Sequence, residues 1–396
     1  MLKIMAVNAG SSSLKFKLLN MPEEEVITEG VIERIGAEDA IYTIKVNGAK
    51  QKQILPIRNH TEAVNLLLND LMGKNIVSSL TEIKGIGHRI VQGGSYFSDS
   101  ALINAKAIEV IRDYCSLAPL HNPANLIAIE SFQNALPGVP NVAVFDTSFH
   151  QTMQPEAFMY AVPYEWYTKY NIRKYGFHGT SHKYVSQKVA EVIGKPLDSL
   201  KIITLHIGNG ASLAAIKNGK CIDTSMGLTP LEGIPMGTRS GNVDPTVVEF
   251  ISNKEHLSVS QVLSMLNKKS GYLGISGFWN DSRDLEEEVE KGNERCKLAL
   301  DIQYKRIVDY IGSYFLYMGG LDVIVFTAGI GENSNTFRKE ILNRLGTLGI
   351  VIDEEANNSR GKIKEITKPE SKVRVFIIPT DEEIMIARDT VRLAKL

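Results

Sequence analysis

Ile4-Met5-Ala6-Val7-Asn8-Ala9-Gly10-Ser11-Ser12-Ser13-Leu14 passes from an apolar run through a turn of small residues into a second apolar run. Farther along, Thr204-Leu205-His206-Ile207-Gly208-Asn209-Gly210-Ala211-Ser212-Leu213 repeats the plan at an interval of 200 residues. Each segment reads as strand, tight Gly-containing turn, strand. The echo predicts two halves built on one supersecondary unit.

Working outward, residues 3–7 and 14–19 are the strands of the first hairpin, and residues 40–46 read as a third strand. Helical spacing of apolar residues follows at 60–71. Brief β-type runs at 85–91 and 141–145 flank a helical segment at 122–134. A second block opens with a helix at 181–193, capped by Ser181 and closed by Gly194. Strands at 201–207 and 211–217 come next, then helical segments at 261–266 and 296–317. A buried-type strand at 323–326 leads into a helix at 336–345. A strand at 373–378 and a helix at 381–395 finish the chain, the latter with a capping box between Thr380 and Glu383. Strands interspersed with helices in this way give an α/β class.

A chain of 396 residues predicts two domains, or three. Hydrophobic residues are 43% and charged residues 22%, so sizeable cores form without disulfide or metal staples and disorder is excluded. Forty-four Lys and Arg balance 45 Asp and Glu, which gives no basic excess for a nucleic-acid or anionic-membrane partner. Cys115, Cys221 and Cys296 form no Cys-x-x-Cys pair, which argues against a disulfide framework or a thiolate zinc site and fits a reducing compartment. The first residues turn polar too soon for a signal peptide, and no 18-residue apolar run occurs. The expectation is a soluble cytoplasmic protein.

Glycine and serine let a backbone approach phosphate closely, with N–H groups as the ligands. Three loops have that character: residues 8–13 followed by Lys15, residues 208–212, and residues 329–333. Neither G-x-x-x-x-G-K-[ST] nor G-x-G-x-x-G is present. One such loop alone is a tight hairpin; three in one chain point to phosphate binding. Arg89 ends a strand just before Gly93-Gly94, and Arg239 lies in the long Gly- and Pro-rich stretch 226–245. Arginine is the natural fork for carboxylate or phosphoryl oxygens, and surface ion pairing is the alternative use. His178 and His182 are four apart, but Gly179 and the absence of a following Glu argue against a zinc pair. Asp146 stands at the end of a strand, where α/β folds open their clefts.

Taken together, eight segments in order resemble the acetate kinase family over essentially the whole chain. They are residues 8–15 (NAGSSSLK), 88–94, 145–150 (FDTSFH), 175–182 (YGFHGTSH), 206–212 (HIGNGAS), 236–245 (MGTRSGNVDP), 329–333 (GIGEN) and Glu382-Glu383. The resemblance implies two ribonuclease-H-like (actin-like ATPase) domains with a nucleotide cleft between them. Residues 1–148 with 380–396 would form the first. Residues 149–379 would form the second, which binds nucleotide and makes a homodimer.

The resemblance also implies roles. Asn8 and Glu382 match the positions that hold Mg2+, with Mn2+ as a substitute. Ser11, Ser13 and Lys15 match the first phosphate hairpin. His206, Ile207, Gly208, Asn209 and Gly210 match the second. Asp281, Ser282 and Arg283 match a nucleotide-contacting segment, and Gly329, Ile330, Gly331, Glu332 and Asn333 match another. Arg89 matches the arginine for the substrate carboxylate. Val91, Leu120, Phe177 and Pro230 match a small apolar pocket for the acyl methyl group. His178 and Arg239 match transition-state stabilisers, and Asp146 the catalytic aspartate. Family descriptions make that aspartate a proton donor or acceptor; a water-mediated link to magnesium, or orientation of Arg and His side chains, is physically easier to defend. Two departures stand out: Gln92 replaces a frequent His, and Asp381 replaces a frequent Asn. The implied reaction is reversible transfer of the ATP γ-phosphoryl to acetate, giving acetyl phosphate and ADP. Kinases for longer acids, non-enzymatic actin-like ATPases and sugar kinases are the rivals.

Overall fold

The structure is a computed structural model in which residues 2–119 and 121–396 are described. The chain divides into two compact units, Met1–Gln151 with Asp381–Leu396, and Thr152–Thr380.

The first unit holds strands β1 (Leu2–Gly10), β2 (Ser13–Met21), β3 (Glu25–Glu33), β4 (Ala40–Val46), β5 (Ala49–Leu55), β6 (Ile83–Ile90), β7 (Ala101–Leu102) and β8 (Asn141–Phe145). They form one sheet in the order β5-β4-β3-β2-β1-β6-β8-β7. The unbroken apolar run in β1 has a direct cause: both faces of the sheet are covered there. Ile4 and Ala6 pack against Ile386 and Ala387 of the Glu382–Ala394 helix. Met5 and Val7 point the other way, into a core shared with Leu67 of the His60–Gly73 helix and Phe132 of the Asn122–Ala135 helix. β1 and β2 are antiparallel with Gly10 opposite Ser13 and Asn8 opposite Lys15, so Ser11 and Ser12 alone make the turn. β1 then pairs parallel with β6, and β6 with β8, which puts Arg89 and Phe145 near the same end of the sheet.

The second unit holds β9 (Lys201–Ile207), β10 (Ala211–Lys217), β11 (Lys220–Thr224), β12 (Val323–Thr327), β13 (Lys364–Glu365) and β14 (Arg374–Ile377), in the order β11-β10-β9-β12-β14-β13. β9 and β10 are antiparallel, with Ile207 opposite Ala211 and His206 opposite Ser212. β9 runs parallel to β12, and β12 to β14. Five strands therefore follow one plan in each unit: β3-β2-β1-β6-β8 in the first, and β11-β10-β9-β12-β14 in the second. Two antiparallel pairings come before two parallel ones in both. The echo in the sequence is the visible part of a duplicated sheet.

Two sequence-based caps are corrected. The Gly179–Ile193 helix starts earlier than expected, with His178 at its cap in the left-handed region at φ 57°. Ser181 lies in the first turn, and its hydroxyl meets His206 Nδ1 and Thr380 Oγ1, each at 2.8 Å. Thr380 is thereby occupied, and no Thr380–Glu383 box forms. Asp381 caps the C-terminal helix instead, Oδ1 accepting from the Ile384 N–H at 3.1 Å. A buried hydroxyl takes the polar partners around it, and Asp is the stronger cap. The three cysteines are free thiols. Among the described residues no helix is long and apolar enough to cross a membrane.

Candidate functional site

In the first unit, Ser11 and Lys15 are exposed around the β1–β2 turn, and Asn8 and Ser13 are partly buried. Lys15 forms no salt bridge among the described residues, so its charge is available to an anion. At the ends of β6 and β8, Arg89 and Asp146 form a fork: Nε donates to Oδ1 at 2.9 Å and Nη2 to Oδ2 at 2.6 Å. Glu382 Oε2 lies 3.7 Å from Arg89 Nε. Burial by itself would lower the pKa of Arg89, but Asp146 and then Glu382 outweigh it, and the pKa is raised. The Glu382 carboxyl is raised well above the usual carboxylate range. Burial is the main cause, Asp146 and Glu383 add to it, and Arg89 opposes it.

The turn after Arg89 is built by close packing. Val91 is buried, and its N–H donates to Asn125 Oδ1. Gln92 is fully buried, and its amide oxygen accepts from the Gly94 N–H at 2.9 Å. Gly94 has φ +64°, and a Cβ there would sit 1.9 Å from the Tyr114 ring. Only glycine meets both demands. Leu120, expected in the acyl pocket, lies outside the described residues.

In the second unit, Phe177 is buried and His178 follows it into the helix cap. A non-glycine residue held in the left-handed region costs free energy and tends to occur at functional positions. The His178 ring stacks on His206, with centroids 4.1 Å apart and planes 20° from parallel. A Cβ placed on Gly210 would lie 3.5 Å from His178 Cε1 and Nε2 and 3.6 Å from Arg239 Nη1. His178 and Arg239 therefore converge on the glycine turn between β9 and β10. Arg239 Nη1 donates to the Pro230 carbonyl at 3.3 Å and touches Met236 Sδ at 3.7 Å. No carboxylate pairs with it among the described residues, and burial lowers its pKa.

A cavity of about 700 Å³ opens in the same unit. Gly208 and Asn209 line it from the β9–β10 turn, Asp281, Ser282 and Arg283 from the start of the Ser282–Glu290 helix, and Gly329, Ile330 and Asn333 from the segment after β12. Three separate sequence motifs thus share one wall. Asp281 caps that helix through the Arg283 N–H and forks the Arg283 guanidinium at 3.0 and 2.7 Å. His206, Ile207, Gly210, Gly331 and Glu332 do not line the cavity. Glu332 turns inward: Oε1 accepts from the N–H groups of Ala328 at 2.7 Å and Thr380 at 3.1 Å. It supports the loop, whose Ala328 stands at φ +63°. The sequence reading missed Tyr272, Glu286 and Arg360, which also line the cavity. Arg360 sits in a polar Asn-Ser-Arg-Gly turn that looks like any surface loop until the fold brings it here.

The sequence model described as "Acetokinase family" matches residues 3–388. An acetate kinase of Bacillus cytotoxicus is 56% identical over 396 residues, which is 100% of both chains. The solved structure of Porphyromonas gingivalis acetate kinase superposes with a TM-score of 0.95 at 45% identity, covering 100% of each chain. A propionate kinase from Francisella tularensis superposes with a TM-score of 0.93 at 43% identity, over 99% of this chain and 100% of its own. The two mixed sheets are those of the ribonuclease-H-like, actin-like ATPase fold. With a family match spanning nearly every residue and a relative sharing more than half of them end to end, this chain belongs to the acetokinase family.

Proposed function

We propose that this chain is an acetate kinase, transferring the ATP γ-phosphoryl reversibly to acetate by direct in-line displacement to give acetyl phosphate and ADP. One observation carries the reading: the Arg239 guanidinium, without a carboxylate partner, meets His178 at the Gly210 turn of a phosphate-type hairpin. A half-buried cation with no counter-charge is a built anion site. Acetate is already a carboxylate at neutral pH, so no base is needed to make it a nucleophile. The barrier comes from bringing two anions together, and alignment with charge neutralisation lowers it. Arg89 binds the acetate carboxylate. Arg239 and His178 hold the equatorial oxygens of the transferring phosphoryl. Asp146 orients Arg89, a role that its two-point contact with the guanidinium supports. The cavity bounded by Gly208, Asp281 and Gly329 takes the nucleotide; its volume suits a ligand of that size.

The donors near Arg89 suit a divalent cation. Mg2+ favours oxygen ligands and is commonly held by one or two carboxylates plus substrate phosphates. The Glu382 carboxyl is buried beside Asp146 and Glu383, and burial is the main reason its pKa is raised. Among the described residues no set of three or more His, Cys, Asp or Glu forms a metal cage. Asn8 and Glu382 would hold Mg2+, or Mn2+ in its place, and the ion would neutralise charge on the terminal phosphates. The departure at Asp381 has a different use. Its carboxylate caps the C-terminal helix and pairs with Lys17 Nζ at 3.1 Å. Asp381→Asn should therefore lower the unfolding free energy by about 1 kcal/mol, the scale of a modest ion pair, because the amide keeps the cap. Chemical denaturation measures that loss, and the magnesium concentration for half-maximal activity should stay within about twofold.

The protein acts in the cytoplasm as a homodimer formed through the second unit. The resemblance supports this, together with large apolar side chains left exposed on that unit, among them Phe250, Phe278 and Leu316.

A hydroxamate assay with ATP and acetate tests the activity, and a kcat/KM series over formate, acetate, propionate and butyrate tests the acid. The second reading, a kinase for propionate, is favoured by the match to a propionate kinase. The family resemblance implies that Val91, Leu120, Phe177 and Pro230 make an acyl pocket with room for little beyond a methyl group. Overpacking by a methylene costs roughly 1–3 kcal/mol, so butyrate should be disfavoured about 10–200-fold against acetate. Val91→Ala should narrow that ratio. Butyrate equal to acetate in the unaltered protein would make the longer-acid kinase the better reading.

A further inference from the structure

Four side chains of the second unit form a chain of hydrogen bonds that ends at His178. His182 Nδ1 is 2.7 Å from Thr204 Oγ1, His182 Nε2 is 2.8 Å from Ser212 Oγ, and Ser212 Oγ is 2.9 Å from His178 Nδ1. Thr204, His182 and Ser212 are wholly buried, at 0% exposure. Each hydroxyl has one hydrogen to give, so the chain can run in only two senses.

Thr204 decides between them. Among the described residues its hydroxyl has His182 Nδ1 as its one hydrogen-bond partner. If His182 donated to Thr204, the Thr204 hydrogen would be buried with no acceptor. That disfavours the arrangement by on the order of ten- to a hundredfold. Thr204 therefore donates to His182 Nδ1. His182 must then carry its proton on Nε2 and donate to Ser212, and Ser212 donates to His178 Nδ1. His178 is left with its proton on Nε2, which lies 3.5 Å from where a Gly210 Cβ would stand, beside the turn that Arg239 Nη1 also approaches. Stacking on His206 keeps the ring in that plane.

The geometry assigns Thr204, His182 and Ser212 as positioning residues that fix the tautomer of His178 so that Nε2–H faces the phosphate turn. This rests on His178 being a hydrogen-bond donor to the transferring phosphoryl. The device answers a local problem. A neutral imidazole beside a guanidinium would turn its lone pair toward that charge, and a lone pair on Nε2 repels a phosphoryl oxygen. The buried relay holds the proton where transfer needs it, and at no point does it require His178 to be charged.

The test is long-range 1H–15N correlation on the full chain labelled with 15N-histidine, with His178→Gln to assign the resonances. In the unaltered protein at neutral pH, His178 should show a protonated Nε2 and an unprotonated Nδ1. Ser212→Ala should move His178 toward the Nδ1–H tautomer and lower kcat about tenfold, with KM for ATP and acetate within about twofold. Thr204→Val should shift the tautomer in the same direction, and Thr204→Ser, which keeps the hydroxyl, should restore it. His178 protonated on Nδ1 or on both nitrogens in the unaltered protein overturns the proposal, a result that needs no variant to fold. So does an Nε2–H tautomer retained in Ser212→Ala. Undiminished kcat in His178→Ala would instead remove the stabilising role of His178 and leave the tautomer assignment standing.

Discussion

Arg239→Ala should lower kcat by about 10²–10³-fold or more while changing the KM for ATP only modestly. The reason is where this charge sits. Its Nη1 lies near His178 at the Gly210 turn, is held in place by the Pro230 carbonyl, and has no carboxylate to neutralise it. In the proposed role, charge that builds on the transferring phosphoryl would meet a donor already desolvated, so the contact would strengthen in the transition state more than in the ground state. In the proposed reading the nucleotide's other contacts are made at the cavity walls, which is why KM should hold. Arg239→Lys should recover little, because a point charge cannot copy the fork. Steady-state kinetics on variants shown to be folded by circular dichroism is the measurement. Near-normal turnover in Arg239→Ala would sink the assignment.

Asp146→Ala should lower kcat/KM for acetate by about 10²–10³-fold and leave the KM for ATP nearly unchanged. Asp146 is almost fully buried and grips Arg89 through both nitrogens of the fork. Without it, Arg89 has Glu382 3.7 Å away as the next carboxylate, and the guanidinium swings toward it. A displacement of about 1 Å in a substrate-positioning group already costs about 10²-fold. Breaking the buried pair should also destabilise the fold by roughly 3–5 kcal/mol, visible in chemical denaturation. Asp146→Asn separates the two roles proposed for this side chain. As an orienting group, Asn keeps one of the two bonds, so activity should exceed that of the Ala variant and the shape of the pH profile should be unchanged. A flattened profile with activity as low as in Asp146→Ala would mark proton transfer as the role.

What could be read in advance follows from local chemistry. Gly10 and Gly208-Asn209-Gly210 announced two hairpins because tight turns between strands need small residues. The run Ile4-Met5-Ala6-Val7 announced a strand, and the fold then buried it on both faces. β3 and β5 were missed for the converse reason. Ala49–Leu55 alternates Lys and Gln, is exposed almost throughout, and is held by its ladder to β4 rather than by apolar burial. Its β character belongs to its neighbour, and no periodicity in its own residues reports it.

The candidate site divides in the same way. Residue types at turns and strand ends were legible: Arg89 before a Gly pair, Asp146 at a strand end, His178 before a helix, Arg239 in a long Gly-rich loop. Pairings between distant residues were not. Ser181 had the sequence of a cap and serves His206 and Thr380 instead. Glu332 belonged to a nucleotide-type loop and turns inward to tie Ala328 to Thr380. Thr204, a residue within an apolar strand, orders the protons of two histidines on other elements. Backbone preference and the period of burial are local properties, and the amino-acid order determined them: the α/β class, the duplicated hairpins and the glycine turns. Which polar atom finds which partner depends on contacts between segments up to hundreds of residues apart. Only the packed tertiary structure decided that Asp146 would grip Arg89 and that Arg239 would stand without a counter-charge.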